Sequence, residues 1–299
     1  MTDTQKFFGI LPAVVTPVDE AGRFQAAPFE GLLARVYGAG VDGIYVCGQT
    51  GEGLQQSAAQ RKMVAEVAVA NSPAGKQVIV HVGAMSTGEA VELAQHASRA
   101  GATAISSLPP IGSYSFAEIK AYYRAIGEAS TVPFLVYYFP SLAPSMTQVE
   151  QLLELCELPN VVGLKFTDSD FYKLSILARS GRVVFNGSDE MLVAGLLRGA
   201  CGGIGSIYNV IPEMFVELYA LASAGDWVAA SALQDRINDL IRIILRYPVF
   251  PAVKTLLRWS GLDCGHCVKP RRELTAEETA DLTVRLQGTE FAERFRSAR

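Results

Sequence analysis

Eight short apolar runs, each followed by a longer stretch of helical character, constrain this chain more than any other feature. The runs cover residues 9–15, 43–47, 78–82, 103–108, 134–138, 161–166, 183–186 and 203–207. They are rich in Val, Ile and Tyr, and several are apolar on both faces. A strand of that kind must be covered on both sides, as in a parallel sheet wrapped by helices. The intervening segments, such as 58–70, 87–100 and 116–129, are amphipathic. Ser57, Thr87, Ser115 and Thr147 stand where helix caps are needed. Ser115 with Glu118, and Thr147 with Glu150, have the spacing of a capping box. Gly40 and Gly101 follow helix ends. Eight such units in a row predict an α/β fold, a (β/α)8 TIM barrel, over an open doubly wound sheet. Beyond Pro212 the strand signal stops, and 214–223, 227–245, 252–259 and 276–286 read as helix. The expected organisation is a catalytic barrel over 1–223 and a C-terminal helical extension over 224–299. No low-complexity linker separates them, so one compact unit is expected.

Composition narrows the function classes. The chain has 299 residues, 49% hydrophobic and 19% charged, enough for a sizeable core. A net charge of -4 gives no reason to expect nucleic acid as a partner. The basic clusters Lys269-Pro270-Arg271-Arg272 and 294–299 are short and read as solvated surface. No apolar run is long enough to span a membrane. Residues 1–6 are polar and lack the apolar core of a secretory signal, so a cytoplasmic location is expected. Five cysteines without framework spacing fit reduced thiols. Cys264-Gly265-His266-Cys267 is a single pair with no second pair. A zinc site needs further ligands, and His81 and His96 belong to other units, so a structural role is expected and no metal.

Barrel enzymes carry their sites at the C-terminal ends of the strands. Lys165 lies near the end of the sixth run and Tyr137 near the end of the fifth. A lysine after a strand often only marks where the chain meets water. An amine held out of water instead loses its proton easily and becomes a nucleophile, and a phenol beside it can move protons. After the second run comes Gly48-Gln49-Thr50-Gly51-Glu52-Gly53. This is either an ordinary tight turn or a cradle of N–H groups and a hydroxyl for a carboxylate. It lacks the Gly-Lys-Ser/Thr ending of a P-loop. After the seventh run, Asn186-Gly187-Ser188-Asp189-Glu190 could bind a polyhydroxylated ligand or cap the next helix. The eighth ends in Gly205-Ser206-Ile207-Tyr208-Asn209.

These motifs, in this order and on these strands, resemble the N-acetylneuraminate lyase and dihydrodipicolinate synthase family of class I aldolases. The motifs are Gly48-Gln49-Thr50-Gly51-Glu52, the strand of Tyr137 with Pro140, Gly163-Leu164-Lys165, and Gly187-Ser188-Asp189-Glu190 leading to Gly202-Gly203-Ile204-Gly205-Ser206. The resemblance spans nearly the whole chain. It implies a (β/α)8 barrel with a helical extension, a homotetramer, and no metal or organic cofactor. It implies that Lys165 forms an imine with a 2-oxo acid and that Tyr137 serves the aldol hydroxyl. It places Thr50 and Gly51 on the substrate carboxylate, with Gln49 beside them. Thr167, Gly187, Asp189, Glu190 and Ser206 complete the expected substrate contacts.

Within the family, the synthases have an arginine two positions after the proline of the tyrosine strand. Here that position is Leu142, and the lyases are also uncharged there. The stretch 185–209 is closest to the lyases as well. The expected reaction is therefore cleavage of N-acetylneuraminate to pyruvate and N-acetylmannosamine. Two departures favour another 2-keto-3-deoxy sugar acid: Gln49 replaces a Ser or Thr common in the family, and the loop ending at Tyr114 is shorter. A barrel that only binds an oxo acid is the third reading. Tyr114 is the candidate for a tyrosine that many members extend into a neighbouring subunit.

Overall fold

All eight apolar runs form parallel strands in the computed structural model, which describes residues 7–295. Residues 1–6 and the 296–299 end of the basic C-terminal cluster lie outside the described residues. The strands are β1 (Gly9–Pro12), β2 (Gly43–Val46), β3 (Gln77–His81), β4 (Ala104–Ser107), β5 (Phe134–Tyr138), β6 (Val161–Phe166), β7 (Val183–Asn186) and β8 (Gly202–Gly205). They pair in sequence order, with β8 returning to β1. Contact between β1 and β2 is thinner. The Asp42 N–H donates to the Ile10 carbonyl and the Val14 N–H to the Tyr45 carbonyl, each at 3.0 Å. The result is the expected TIM barrel.

Helices α1 (Ala26–Gly38), α2 (Ala58–Ala70), α3 (Thr87–Ala100), α4 (Phe116–Ala129), α5 (Val149–Leu155), α6 (Phe171–Arg179), α7 (Leu192–Leu197) and α8 (Pro212–Ser223) follow the strands in turn. Three more helices come after them: α9 (Trp227–Ile244), α10 (Val249–Trp259) and α11 (Ala276–Gln287). Among the described residues no helix is long and apolar enough to cross a membrane.

Some predicted boundaries move, each for a local reason. Strand β1 stops at Pro12 and β8 at Gly205, short of the expected 15 and 207. Past these points the Asn209 side chain takes over, accepting from the Val15 N–H at 3.1 Å and donating to the Ala13 carbonyl at 2.8 Å. Backbone groups satisfied by a side chain need no ladder. Helix α3 is capped by Ser86, not Thr87, because Ser86 is the residue three positions before the Glu89 N–H it accepts. Thr147 is not the cap of α5 either. Gln151 Oε1 accepts from both the Thr147 and Gln148 N–H groups, and Gln148 becomes the cap. Ser57 and Ser115 cap α2 and α4 as expected. Helix α10 starts at Val249, earlier than 252, because Pro251 falls in its first turn, where no N–H is needed.

Side chains alternate between two apolar layers. Phe134, Val136 and Tyr138 of β5 pack outward against the helices. Leu135 and Tyr137 point into the barrel, with Leu11, Tyr45, Ile79 and Phe185. In β6 the alternation is interrupted. Phe134 pairs with Val161 but Leu135 pairs with Gly163, so Val162 is an extra residue, a β-bulge. From there on Tyr137 stands opposite Lys165. Without the bulge Tyr137 would face Leu164, and Lys165 would point toward the helices.

Candidate active site

Lys165 is only 4% exposed, although it lies at the mouth end of β6. Its amine is 4.1 Å from the centre of the Tyr137 ring and 4.5 Å from that of Tyr45. Aromatic faces on two sides exclude water without supplying a full counter-charge. Burial brings the ammonium down to about 7, while the Asp189 carboxylate pulls in the opposite direction. Asp189 is itself 8% exposed, and burial pushes it up to about 7. The Ile207 N–H, 2.7 Å from Asp189 Oδ2, works against that rise. Each group favours the charged form of the other, against the larger effect of burial.

Local sequence explains how Asp189 gets there. Gly205 leaves the space: a Cβ there would stand 2.0 Å from Asp189 Oδ1. The carboxylate reaches across to the end of β8 and does not cap α7. Glu190 does not cap it either, since Met191 holds the N-cap position of α7 and no side chain caps the helix. Glu190 is exposed, and its carbonyl accepts from Asn238 Nδ2 at 3.1 Å.

Tyr137 is buried, which raises its phenol well above the usual 10, so it rests as a neutral donor. The Thr167 hydroxyl beside it acts in the other direction, yet Thr167 Oγ1 has no partner at full hydrogen-bonding geometry. Gly187 makes room for Thr167, because a Cβ at Gly187 would meet that hydroxyl at 2.0 Å.

The glycine-rich turn closes the far side. Thr50 Oγ1 and Ser206 Oγ are 2.6 Å apart, which joins the end of β2 to the end of β8. Gly51 packs tightly, with a hypothetical Cβ 3.0 Å from the Val14 carbonyl. Its own carbonyl accepts from Thr16 Oγ1 at 2.7 Å and from Gln56 Nε2 at 2.6 Å. The Glu52 and Gly53 N–H groups are used within the turn. Among the described residues neither the Thr50 nor the Gly51 N–H finds a protein acceptor. Two free donors and a hydroxyl suit a carboxylate. Gln49 is half-buried on this turn, and Tyr114 is half-buried and packed on the core of its own chain.

Lys165, Tyr137, Thr167, Gly187 and Asp189 thus gather on one side, and Thr50, Gly51 and Ser206 on another. Three neighbours were not singled out as site residues from the sequence. Tyr45 covers Lys165 and donates its hydroxyl to Ser106 Oγ at 3.1 Å. Its signal was strand alternation, which turns Tyr45 inward. His81, weighed only as a metal ligand, has its ring 6.3 Å from those of Tyr45 and Tyr137. Burial, with the Arg61 charge, drives its imidazole well below the usual range, and its Nε2 accepts from the Leu108 N–H. Phe139 stacks on Tyr137 with centroids 6.1 Å apart. Among the described residues no group of three or more His, Cys, Asp or Glu is placed to hold a metal ion. Around Cys264 and Cys267, Gly265 bridges to Val18 and the His266 N–H donates to the Val18 carbonyl at 2.9 Å. That segment fastens the extension to the barrel.

Comparison with known proteins decides the family. The model of the dihydrodipicolinate synthetase family matches residues 6–289. The chain belongs to this family. A relative named N-acetylneuraminate lyase, from Rhizobium meliloti, is 35% identical over 93% of this chain and 93% of its own length. The solved structure of a catalytic lysine mutant of Ruminococcus gnavus sialic acid aldolase matches with a TM-score of 0.90 at 29% identity, covering 96% of this chain and 97% of that one. A Clostridium difficile structure in complex with mannosamine matches equally well, at TM-score 0.90 and 29% identity over 97% and 99% of the two chains. As a member of the dihydrodipicolinate synthetase family, the chain is a lyase of the class I aldolase type.

Proposed function

We propose that this chain cleaves N-acetylneuraminate to pyruvate and N-acetylmannosamine through an imine on Lys165. The observation that carries the proposal is the buried Lys165 amine at 4.1 and 4.5 Å from the centres of two aromatic rings, where burial brings it down to about 7. The names borne by its relatives give the sugar acid. Leu142, packed at the barrel mouth, supports the same choice, since it offers no charge to a second substrate carboxylate.

The proton account closes within the site. Neutral Lys165 attacks C2 of the 2-oxo acid and gives a carbinolamine. Tyr137 donates its proton to the departing hydroxide, which leaves as water, and an iminium–phenolate pair remains. The phenolate takes the proton of the C4 hydroxyl as the C3–C4 bond breaks. Its electrons flow into the iminium, yielding an enamine, the aldehyde product and a neutral phenol. Protonation at C3 and addition of water release pyruvate and restore the amine. Lys165 itself supplies the electron sink, so the reaction calls on no metal or organic cofactor. Thr50 and the N–H groups of Thr50 and Gly51 bind the substrate carboxylate, with Gln49 at the edge of that cradle. Thr167, Gly187, Asp189, Glu190 and Ser206 line the path of the hydroxylated tail. The same reading carries a homotetramer acting in the cytoplasm.

Pyruvate release from N-acetylneuraminate, followed in a coupled assay, tests the substrate. Release is expected, and its absence together with release from another 2-keto-3-deoxy sugar acid would reassign it. Borohydride reduction with pyruvate tests the nucleophile, with the adduct expected on Lys165.

A further inference from the structure

A buried ion pair links the C-terminal extension to the carboxylate turn. Glu52 is 0% exposed and Lys254 of α10 is 1% exposed, with Lys254 Nζ 3.6 Å from Glu52 Oε2. Two buried charges cost several kcal/mol each in lost hydration, so a bland core position would hold apolar side chains instead. The hydrogen bonds around the pair show what it holds. Glu52 Oε2 accepts from the Val268 N–H at 2.7 Å, and Arg271 Nε stands 3.6 Å from Oε1. Lys254 Nζ donates to the Thr16 carbonyl at 2.9 Å and to the His266 carbonyl. Thr16 in turn donates its hydroxyl to the Gly51 carbonyl at 2.7 Å. The chain of contacts runs from α10 through Thr16 to the carbonyl of Gly51, the residue whose own N–H, with that of Thr50, is left unused in the turn.

The turn needs such a hold. Glu52 has φ 53° and Cys47 has φ 59°, both in the left-handed region without being glycine. Each such residue costs about 1–2 kcal/mol and persists only where its surroundings fix it. Glu52 is fixed by its own carboxylate. Its backbone sets the turn that leaves the Thr50 and Gly51 N–H groups unused, and its side chain is locked to the extension.

We propose that Glu52, Lys254 and Thr16 are positioning residues that hold the Thr50–Gly51 turn in the shape that recognises the substrate carboxylate. This rests on the imine reading of Lys165. The role predicts loss of carboxylate recognition with the amine chemistry intact, which general destabilisation does not. The test compares borohydride trapping by pyruvate with trapping by acetone, which offers the same ketone without a carboxylate. Thr16→Val removes one hydroxyl and leaves the ion pair. Glu52→Gln removes the charge and keeps the shape. Both variants should require about tenfold more pyruvate for half-maximal trapping, the scale of one lost hydrogen bond to a positioned group. Their acetone trapping should match the parent protein, and kcat should change less than KM. Equal losses with pyruvate and acetone would overturn the proposal in favour of general disruption. No loss with either variant would overturn it outright. Should Glu52→Gln fail to fold, Thr16→Val decides alone. Failure of the parent protein to trap pyruvate would instead sink the imine reading, a separate outcome.

Discussion

The Lys165 amine lies 4.1 Å above the face of Tyr137, its register partner on the neighbouring strand. An aromatic face attracts a cation, by about 2 kcal/mol when desolvated. Removing an ammonium from water costs several kcal/mol more. Desolvation therefore wins, which is why the amine falls to about 7 despite two rings and a carboxylate that favour its charge.

Activity should follow that balance with pH. The attacking form is the neutral amine, so kcat/KM rises tenfold per unit up to about pH 7 and levels off above it. Asp189 stabilises the ammonium. Asp189→Asn should move the rising limb to lower pH, read from a kcat/KM profile between pH 5 and 9. A limb that stays in place would show that Asp189 does not tune Lys165.

The same burial costs stability. The folded chain binds the Lys165 proton less tightly than the unfolded chain, at about 7 against the ordinary 10.5. The cost is fully present below about pH 7 and vanishes as pH rises through 10.5. At about 1.4 kcal/mol per pKa unit it is on the order of several kcal/mol at neutral pH. Lys165→Met should therefore melt several degrees higher at pH 7, with a gain that shrinks toward pH 10.5. It should also lose turnover by at least about 10⁴-fold, as removal of a nucleophile does. Calorimetry across pH checks the first expectation. A variant less stable than its parent at pH 7 would contradict it.

Tyr137 is neutral at rest, and the proton account gives its hydroxyl two transfers. Tyr137→Phe keeps the ring over Lys165 and removes only the oxygen. We expect kcat to fall by about a hundredfold or more, the scale of losing a general acid/base, while pyruvate is still trapped on Lys165 but more slowly, because the acid that protonates the departing hydroxide is gone. Wild-type turnover in this variant would assign the proton carrier elsewhere.

Much of this site was legible in the sequence, because the barrel and its rim follow from strand periodicity. Lys165, Tyr137 and the turn at Thr50 sit at strand ends, where short-range pattern speaks clearly. The bulge at Val162 was not legible: an extra residue in an apolar run leaves no mark until its partner strand is known. Yet it decides that Lys165 faces inward. Tyr45 was hidden for a related reason, since a tyrosine in a buried strand looks like core until the lysine it covers is placed. The pairing of Glu52 with Lys254 spans about two hundred residues, and nothing local in either segment announces it.

Tyr45 separates the effect of the ring from that of its hydroxyl. Tyr45→Phe gives up the bond to Ser106 but still covers the amine, so kcat/KM should stay within about tenfold. Tyr45→Ala opens a path for water to Lys165 and should raise its pKa, shifting the rising limb to higher pH. Equal profiles for the two variants would mean that the ring does not desolvate the amine.

Asp189 and Glu190 are adjacent in sequence but differ in setting. Asp189 is buried against Gly205 and interacts with Lys165, whereas Glu190 is exposed, with its carbonyl on Asn238 of α9. An exposed group beyond the end of β7 can meet only the far part of a long substrate. Glu190→Gln keeps the side chain's length and removes its charge. It should raise KM for N-acetylneuraminate by about threefold to tenfold, the loss of one charged hydrogen bond partly open to water. Pyruvate, too short to reach Glu190, should be trapped with unchanged half-saturation. Parallel loss with both compounds would place Glu190 in the shared part of the site, and no change with either would remove it from the substrate path.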